Sequence, residues 1–321
     1  MVKLDKKDRL LLYELDKNSR QTHSQLSKKV RIKQETVRYR INNFTKEGII
    51  KNFFTIIDVS KLGKIIYKIL LKLHNVDEKK KKEIMGYLVK NNLVLWVADT
   101  YGVYDIALTI GTDSLIKAKE FLAELYKVYG KFLQNKEISV NISGEYLTRD
   151  YLVNKKRVSE KNADYYSDTG KSIVDERDVK ILKELAKNSR VSIIEIATKL
   201  EISSDTVIQR IKKMEKNQVI TKYNIFIDNA KIGQIHYKVF LYFNNLSSEK
   251  EKELYSYCKS IPKIIYIIKA FGSWDLELDL EVESVEEFRR IMMDLTSKFS
   301  SMIKDYSALT IYNVHKYNLL P

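Results

Sequence analysis

The sequence is 321 residues long, 44% hydrophobic and 31% charged, with a formal net charge of +15. Such a chain has room for two to three packed domains under a charged surface. Its one cysteine, Cys258, excludes an internal disulfide and a cysteine-based zinc site. No apolar run approaches the roughly 18 residues of a membrane span. The opening segment 1–6 carries no apolar signal, so a cytoplasmic protein is expected. The charge is uneven: residues 1–160 hold 32 Lys+Arg against 19 Asp+Glu, and residues 161–321 hold 25 against 23. A basic surface attracts polyanions without regard to sequence.

The chain repeats itself. Asp5 and Asp8 match Asp175 and Asp178; Asn18-Ser19-Arg20 matches Asn188-Ser189-Arg190; Gly102 and Asp105 match Gly272 and Asp275. The offset is 170 residues throughout, which is too long for a solenoid and points to one two-domain unit duplicated and fused.

In chain order, Leu10, Leu11, Leu12 and Leu15 predict a first helix, and Asn18-Ser19-Arg20 predicts a turn. Thr22 or Ser24 can cap a second helix whose inward positions are Leu26 and Val30. After a short turn at Arg31-Ile32-Lys33, a third helix runs from about Gln34 to Glu47 with Val37, Ile41 and Phe44 on its core face. Gly48 ends it, and Ile49 to Val59 reads as a strand. The second copy repeats this with Ile181, Leu182 and Leu185, then Ile196 and Leu200, then Val207, Ile211 and Met214. Three short helices with a tight turn before the third predict a helix-turn-helix unit. Opposite the core face lie Glu35, Arg38, Tyr39, Asn42 and Lys46, and Arg and Asn are residue types that read guanine and adenine edges.

From Tyr67 the pattern predicts strand, helix, two strands joined at Gly102, helix and strand. Leu115, Ala118, Leu122 and Leu125 are expected inward on the second of these helices. The βαββαβ order is a ferredoxin-like unit, and residues 237–317 repeat it. Lys79–Lys82 read as a solvated helix face.

These motifs resemble the Lrp/AsnC family of transcriptional regulators. The resemblance rests on Leu4-Asp5-x-x-Asp8, Asn18-Ser19-Arg20, Thr36-Val37-x-x-Arg40-Ile41 and Glu47-Gly48-Ile49-Ile50, and on the matching run from Val174 to Ile211. It implies an α+β chain with a winged helix-turn-helix at 1–60, a ferredoxin-like effector and oligomerisation domain at 61–150, a linker at 151–173, and second copies at 174–230 and 231–321. It implies double-stranded DNA as partner, with Lys33, Gln34, Arg38, Tyr39, Arg40, Asn42, Lys46, Ser203, Ser204, Gln209, Arg210 and Lys212 as DNA-binding candidates. It also implies an amino-acid or other small effector near Tyr101, Gly102, Tyr104, Asp105, Phe271, Gly272, Trp274 and Asp275. Each Asp there either holds a ligand ammonium or accepts backbone N–H bonds in the turn.

Two departures stand out. Lys33 replaces the capping Ser that the second copy keeps at Ser203, and Asn217-Gln218 replaces Glu47-Gly48, so the second recognition helix is expected to end without glycine's easy left-handed conformation. Residues 148–173 read as a polar connection whose middle is aperiodic, long enough for the two ferredoxin-like units to pair sheet to sheet as an intramolecular pseudo-dimer. No cofactor is expected. No phosphate loop, zinc motif or nucleophile elbow occurs. The enzyme alternative is a siroheme decarboxylase, whose subunits resemble the same family. Those carry His and Arg in the strand matching 95–101, where this chain has Leu-Trp-Val-Ala-Asp-Thr-Tyr. The other alternative is a ligand-sensing scaffold without DNA binding.

Overall fold

A computed structural model describes residues 2–157, 165–166, 174–244 and 247–320. Each half opens with three helices: α1 (Lys6–Lys17), α2 (His23–Val30) and α3 (Gln34–Lys46). Asp5 starts α1 through a capping box with Asp8, and Thr22 starts α2 through one with Gln25, so each pair satisfies two otherwise orphaned N–H groups. The strands and helices that follow are β1 (Ile50–Ile57), β2 (Ile65–Leu73), α4 (Glu78–Lys90), β3 (Val94–Tyr101), β4 (Ile106–Thr112), α5 (Leu115–Tyr129) and β5 (Leu133–Tyr146). A two-residue strand, β6 (Tyr165–Tyr166), precedes the second half. That half runs α6 (Glu176–Lys187), α7 (Ile193–Leu200), α8 (Ser204–Lys216), β7 (Ile220–Ile227), β8 (Ile235–Phe243), α9 (Ser248–Ser260), β9 (Ile264–Gly272), β10 (Leu276–Val282), α10 (Val285–Lys298) and β11 (Ile303–Tyr317).

The two sheets meet edge to edge. Strands follow the order β2-β4-β3-β11-β8-β10-β9-β5, and β5 returns to β2, which closes an eight-stranded antiparallel barrel; β6 adds to β5. The long last strand of each half makes both joints. The first part of β5 pairs with β2 and its second part with β9; β11 pairs first with β8 and then with β3. Closure removes the sheet edges that would otherwise invite other chains.

Side-chain alternation then sorts the core. Tyr67, Ile69 and Leu71 of β2 lie against Ile84, Leu88, Phe121 and Leu125 of α4 and α5, on the outside of the barrel. Leu70 points inward to Trp96, Phe240 and Trp274. On α5, Ala118, Phe121 and Leu125 are buried, but Leu115 is 70% exposed. Leu115 was expected inward; it stands on the first turn, off the stripe that faces the sheet.

β1 and β7 form a separate antiparallel ribbon in which Phe54 sits opposite its own repeat equivalent, Asn224. A pseudo-two-fold axis therefore passes through the ribbon. The core of the first helical head includes Ile225 and Ile227 of β7, and the core of the second includes Ile57 and Val59, so each head rests on the other half.

The region expected to be a polar linker is packed where the structure describes it. Tyr151 and Leu152, in a 3-10 turn at Asp150–Val153, are buried in the first head's core. Arg157 donates to the carbonyls of Thr148, Lys259, Ile261, Pro262 and Ile264. Tyr165 is buried against Gly144, where any Cβ would collide with its ring. Residues 158–164 and 167–173 lie outside the described residues.

Candidate DNA interface and effector hairpins

Val37, Ile41 and Phe44 anchor α3, and Val207, Ile211 and Met214 anchor α8 in the same way. The outer face of α3 exposes Gln34, Arg38, Tyr39, Asn42 and Lys46. On α8 it exposes Gln209 and Lys212, with Ser204 half-buried. Lys33 stands at the start of α3 without a side-chain cap bond, while Ser203 accepts the Thr206 N–H at 3.1 Å. An exposed lysine at a helix N-terminus adds positive charge where the helix dipole and free N–H groups already favour an anion.

Two of the predicted DNA-binding residues, Arg40 and Arg210, carry ion pairs within their own head. Arg40 Nη1 bonds Asp5 at 2.8 Å and Asp8 at 2.5 Å; Arg210 Nη1 bonds Asp175 and Asp178, each at 2.8 Å. Each arginine ties its recognition helix to the cap of the first helix, and the Arg210 guanidinium holds the Asp175 carboxyl below its ordinary range. A helical wheel cannot show this, because the partners lie 32 to 35 residues away.

The Asn-Ser-Arg turns do more than reverse the chain. Ser19 Oγ and Ser189 Oγ are 2.6 Å apart. Arg20 Nη1 donates to the Ser189 carbonyl at 2.6 Å, and Arg190 Nη1 to the Ser19 carbonyl at 2.5 Å. Ser19 N–H donates to the Tyr223 carbonyl of the ribbon and Ser189 N–H to that of Phe53. The two heads are thus clasped about the pseudo-two-fold axis and fastened to the ribbon beneath. The recurrence of the same tripeptide at a 170-residue offset was the available signal, but it said nothing about the copies touching.

The hairpins at Gly102 and Gly272 divide the effector candidates. The glycines have φ of +140° and +142°, and a Cβ on Gly272 would lie 2.7 Å from the Ile138 carbonyl oxygen. No residue with a side chain fits there. Tyr101 and Phe271 are exposed, whereas Tyr104 and Trp274 are buried in the barrel core. The Asp105 carboxylate accepts the Leu73 N–H at 2.8 Å, and Asp275 accepts that of Phe243 at 2.7 Å. Both aspartates lock their hairpin to the neighbouring strand, and of the two roles open from sequence the backbone one is filled.

A winged helix-turn-helix DNA-binding family model matches residues 4–51 and 174–221. An HTH-type transcriptional regulator of Pyrococcus horikoshii is 34% identical over 124 residues, 38% of this chain and 82% of that relative. The regulator LrpB of Bacillus subtilis is 30% identical over 122 residues, 38% and 80%. The proline dehydrogenase transcriptional activator of Rhodobacter capsulatus is 28% identical over 121 residues, 37% and 79%. Among solved structures, the siroheme decarboxylase NirDL aligns over 98% of this chain and 93% of its own at a TM-score of 0.61, with 12% identity, a likeness of fold. No helix among the described residues is long and apolar enough to cross a membrane. The chain belongs to the Lrp/AsnC family of DNA-binding transcriptional regulators, carried here as two copies in tandem.

Proposed function

We propose that this chain works as one covalent pseudo-dimer, reading a two-part DNA site with unlike halves. Lys33, Gln34, Arg38, Tyr39, Asn42 and Lys46 serve the first half-site, and Ser204, Gln209 and Lys212 the second. Phosphate contacts supply affinity, and the outer faces of α3 and α8 supply sequence choice. The observation that carries this reading is the reciprocal Ser19–Ser189 and Arg20–Arg190 clasp, which fixes two similarly seated recognition helices about one axis. Their buried faces are alike, but Arg38, Tyr39 and Asn42 correspond to Ile208, Gln209 and Lys212. Each good bidentate base contact discriminates by about 1–3 kcal/mol, so the two half-sites diverge in sequence. A cytoplasmic location fits this reading.

Selection from a random DNA library tests the proposal. The expected winner is an asymmetric pair of half-sites spaced by a helical turn or a multiple of it. A perfect palindrome would overturn the asymmetry, and a single short half-site would mean that one head binds without sequence choice. A small effector seated at the exposed Tyr101 and Phe271 hairpins fits the same scheme. The whole-chain likeness to a siroheme decarboxylase favours a second reading as an enzyme, which a haem-type absorbance band in the purified protein would support.

A further inference from the structure

A cavity of about 100 Å³ lies between the β1–β7 ribbon and the barrel. The ribbon contributes Phe54 and Phe226; the barrel contributes Trp96, Tyr146, Tyr317 and the ammonium of Lys68. Lys68 is 4% exposed. Its Nζ lies 4.4 Å from the centre of the Trp96 ring and 3.3 Å from Glu277 Oε1.

The repeat explains why Lys68 has no carboxylate on the neighbouring strand β4 of its own half. Its equivalent is Lys238, also buried. The second half carries Glu277 and Asp279 on β10, and the first half has Ala107 and Thr109 in their places. Two buried ammonium groups therefore share the carboxylates of one half. Lys238 takes both, bonding Glu277 Oε1 and, at 2.5 Å, Asp279 Oδ1. Asp279 Oδ2 faces His236 at 3.2 Å. Arg149, the other cation beside the cavity, is held by Asp16 and by both oxygens of Glu281. Lys68 is left with the face of Trp96 and one contact at 3.3 Å to Glu277 Oε1, which Lys238 also uses, while Glu277 Oε2 has no hydrogen-bond partner among the described residues. A homodimer would carry the same residues on both sides, so this one-sided placement of the two acids is available only to a fused chain.

We infer that the cavity is a binding site for a small monocarboxylate, its carboxylate on the Lys68 ammonium and its apolar body against the aromatic walls. An engineered apolar cavity of about 150 Å³ admits benzene, so this one suits roughly four to six non-hydrogen atoms. The occupant touches the ribbon, and the carbonyls of Phe53 and Tyr223 in that ribbon hold the two serines of the head clasp. Resting on the reading of the chain as a DNA-binding regulator, the site lets a ligand alter the spacing of the heads from a place other than the Gly102 and Gly272 hairpins.

Burial pushes Lys68 down to about 8, with Glu277 opposing. The other groups facing it are Lys238 and His236 from β8, Glu277, Asp279 and Glu281 from β10, Arg149, and the hydroxyls of Tyr165, Tyr266 and Tyr317, which burial keeps protonated. Only protonated Lys68 attracts a carboxylate, so affinity falls as pH rises through about 8.

Titration calorimetry of the full chain with sodium butyrate, butylammonium chloride and 1-butanol, at pH 7 and pH 9, tests the site. Butyrate is expected to bind one per chain, shift the tryptophan emission, and weaken about tenfold at pH 9. Lys68→Met should weaken it tenfold or more, roughly the loss of one charge-assisted hydrogen bond. Lys68→Arg should retain it within about threefold at both pH values, because the guanidinium stays charged. No butyrate binding at about 10 mM, stronger binding of butylammonium, or undiminished binding by folded Lys68→Met would overturn the inference. Should Lys68→Met fail to fold, the Arg variant and the pH comparison decide. DNA affinity of the ligand-free chain is measured on the same preparation. Its absence would sink the regulator reading and leave the butyrate result standing.

Discussion

Gln218 has a φ of +56°, close to the +68° of its equivalent Gly48. The second recognition helix therefore ends in the same left-handed turn as the first, contrary to the expectation that it lacks this route, and a side chain bears the cost. That conformation costs an ordinary residue about 1–2 kcal/mol, partly offset by the lower unfolded-state entropy of Gln. Gln218→Gly should therefore stabilise the protein by about 0.5–1 kcal/mol in urea denaturation, and Gly48→Gln should destabilise it by a similar amount. Lys33→Ser, which supplies the missing cap, is expected to add about 1 kcal/mol while weakening DNA binding. These residues were legible because their spacing within a single helix decides what they do. The ion pairs of Arg40 and Arg210 were not, since nothing in a helix's own periodicity names a partner on another helix.

The unit that positions DNA contacts is a pair of turns. Removing both guanidiniums with Arg20→Ala and Arg190→Ala deletes four hydrogen bonds to carbonyls across the head contact. Affinity for a complete two-part site should drop about tenfold, an order-of-magnitude expectation equal to some 1.4 kcal/mol, while affinity for an isolated half-site stays unchanged. Equal losses on both DNAs, measured by gel shift, would show that the clasp does not set head spacing. The heads themselves also differ. Residues 1–52 hold 14 Lys+Arg against 6 Asp+Glu, and residues 171–222 hold 12 against 8. Arg38→Ala should therefore weaken binding more than Gln209→Ala, as measured by gel shift on the same DNA. Periodicity marked nearly every helix and strand within a unit, because those are local patterns. It could not show which strand edges meet, because the joining pairs, such as Thr310 with Tyr101 and Ser139 with Gly272, come from opposite halves.

For the molecule as a whole, covalent linkage and association are separate matters. Among the described residues, three strand pairings cross between the halves: β3 with β11, β5 with β9, and β1 with β7. Proteolysis within residues 158–164 should therefore leave the two fragments eluting together in size-exclusion chromatography. Fragments that separate where the intact chain is monodisperse would refute the pseudo-dimer.

The closed barrel also sets a schedule for synthesis. When the first half has left the ribosome, β3 and β5 each present an unmatched edge, and the partners of both arrive only with β9 and β11. At about 5–20 residues per second, the 170-residue offset corresponds to roughly ten to thirty seconds with those edges open. During that interval a neighbouring nascent chain offers the same edges as the protein's own second half. Fusion makes the correct partner inevitable on every chain, but always last to arrive, so yield should depend on translation rate and on how densely ribosomes load the message.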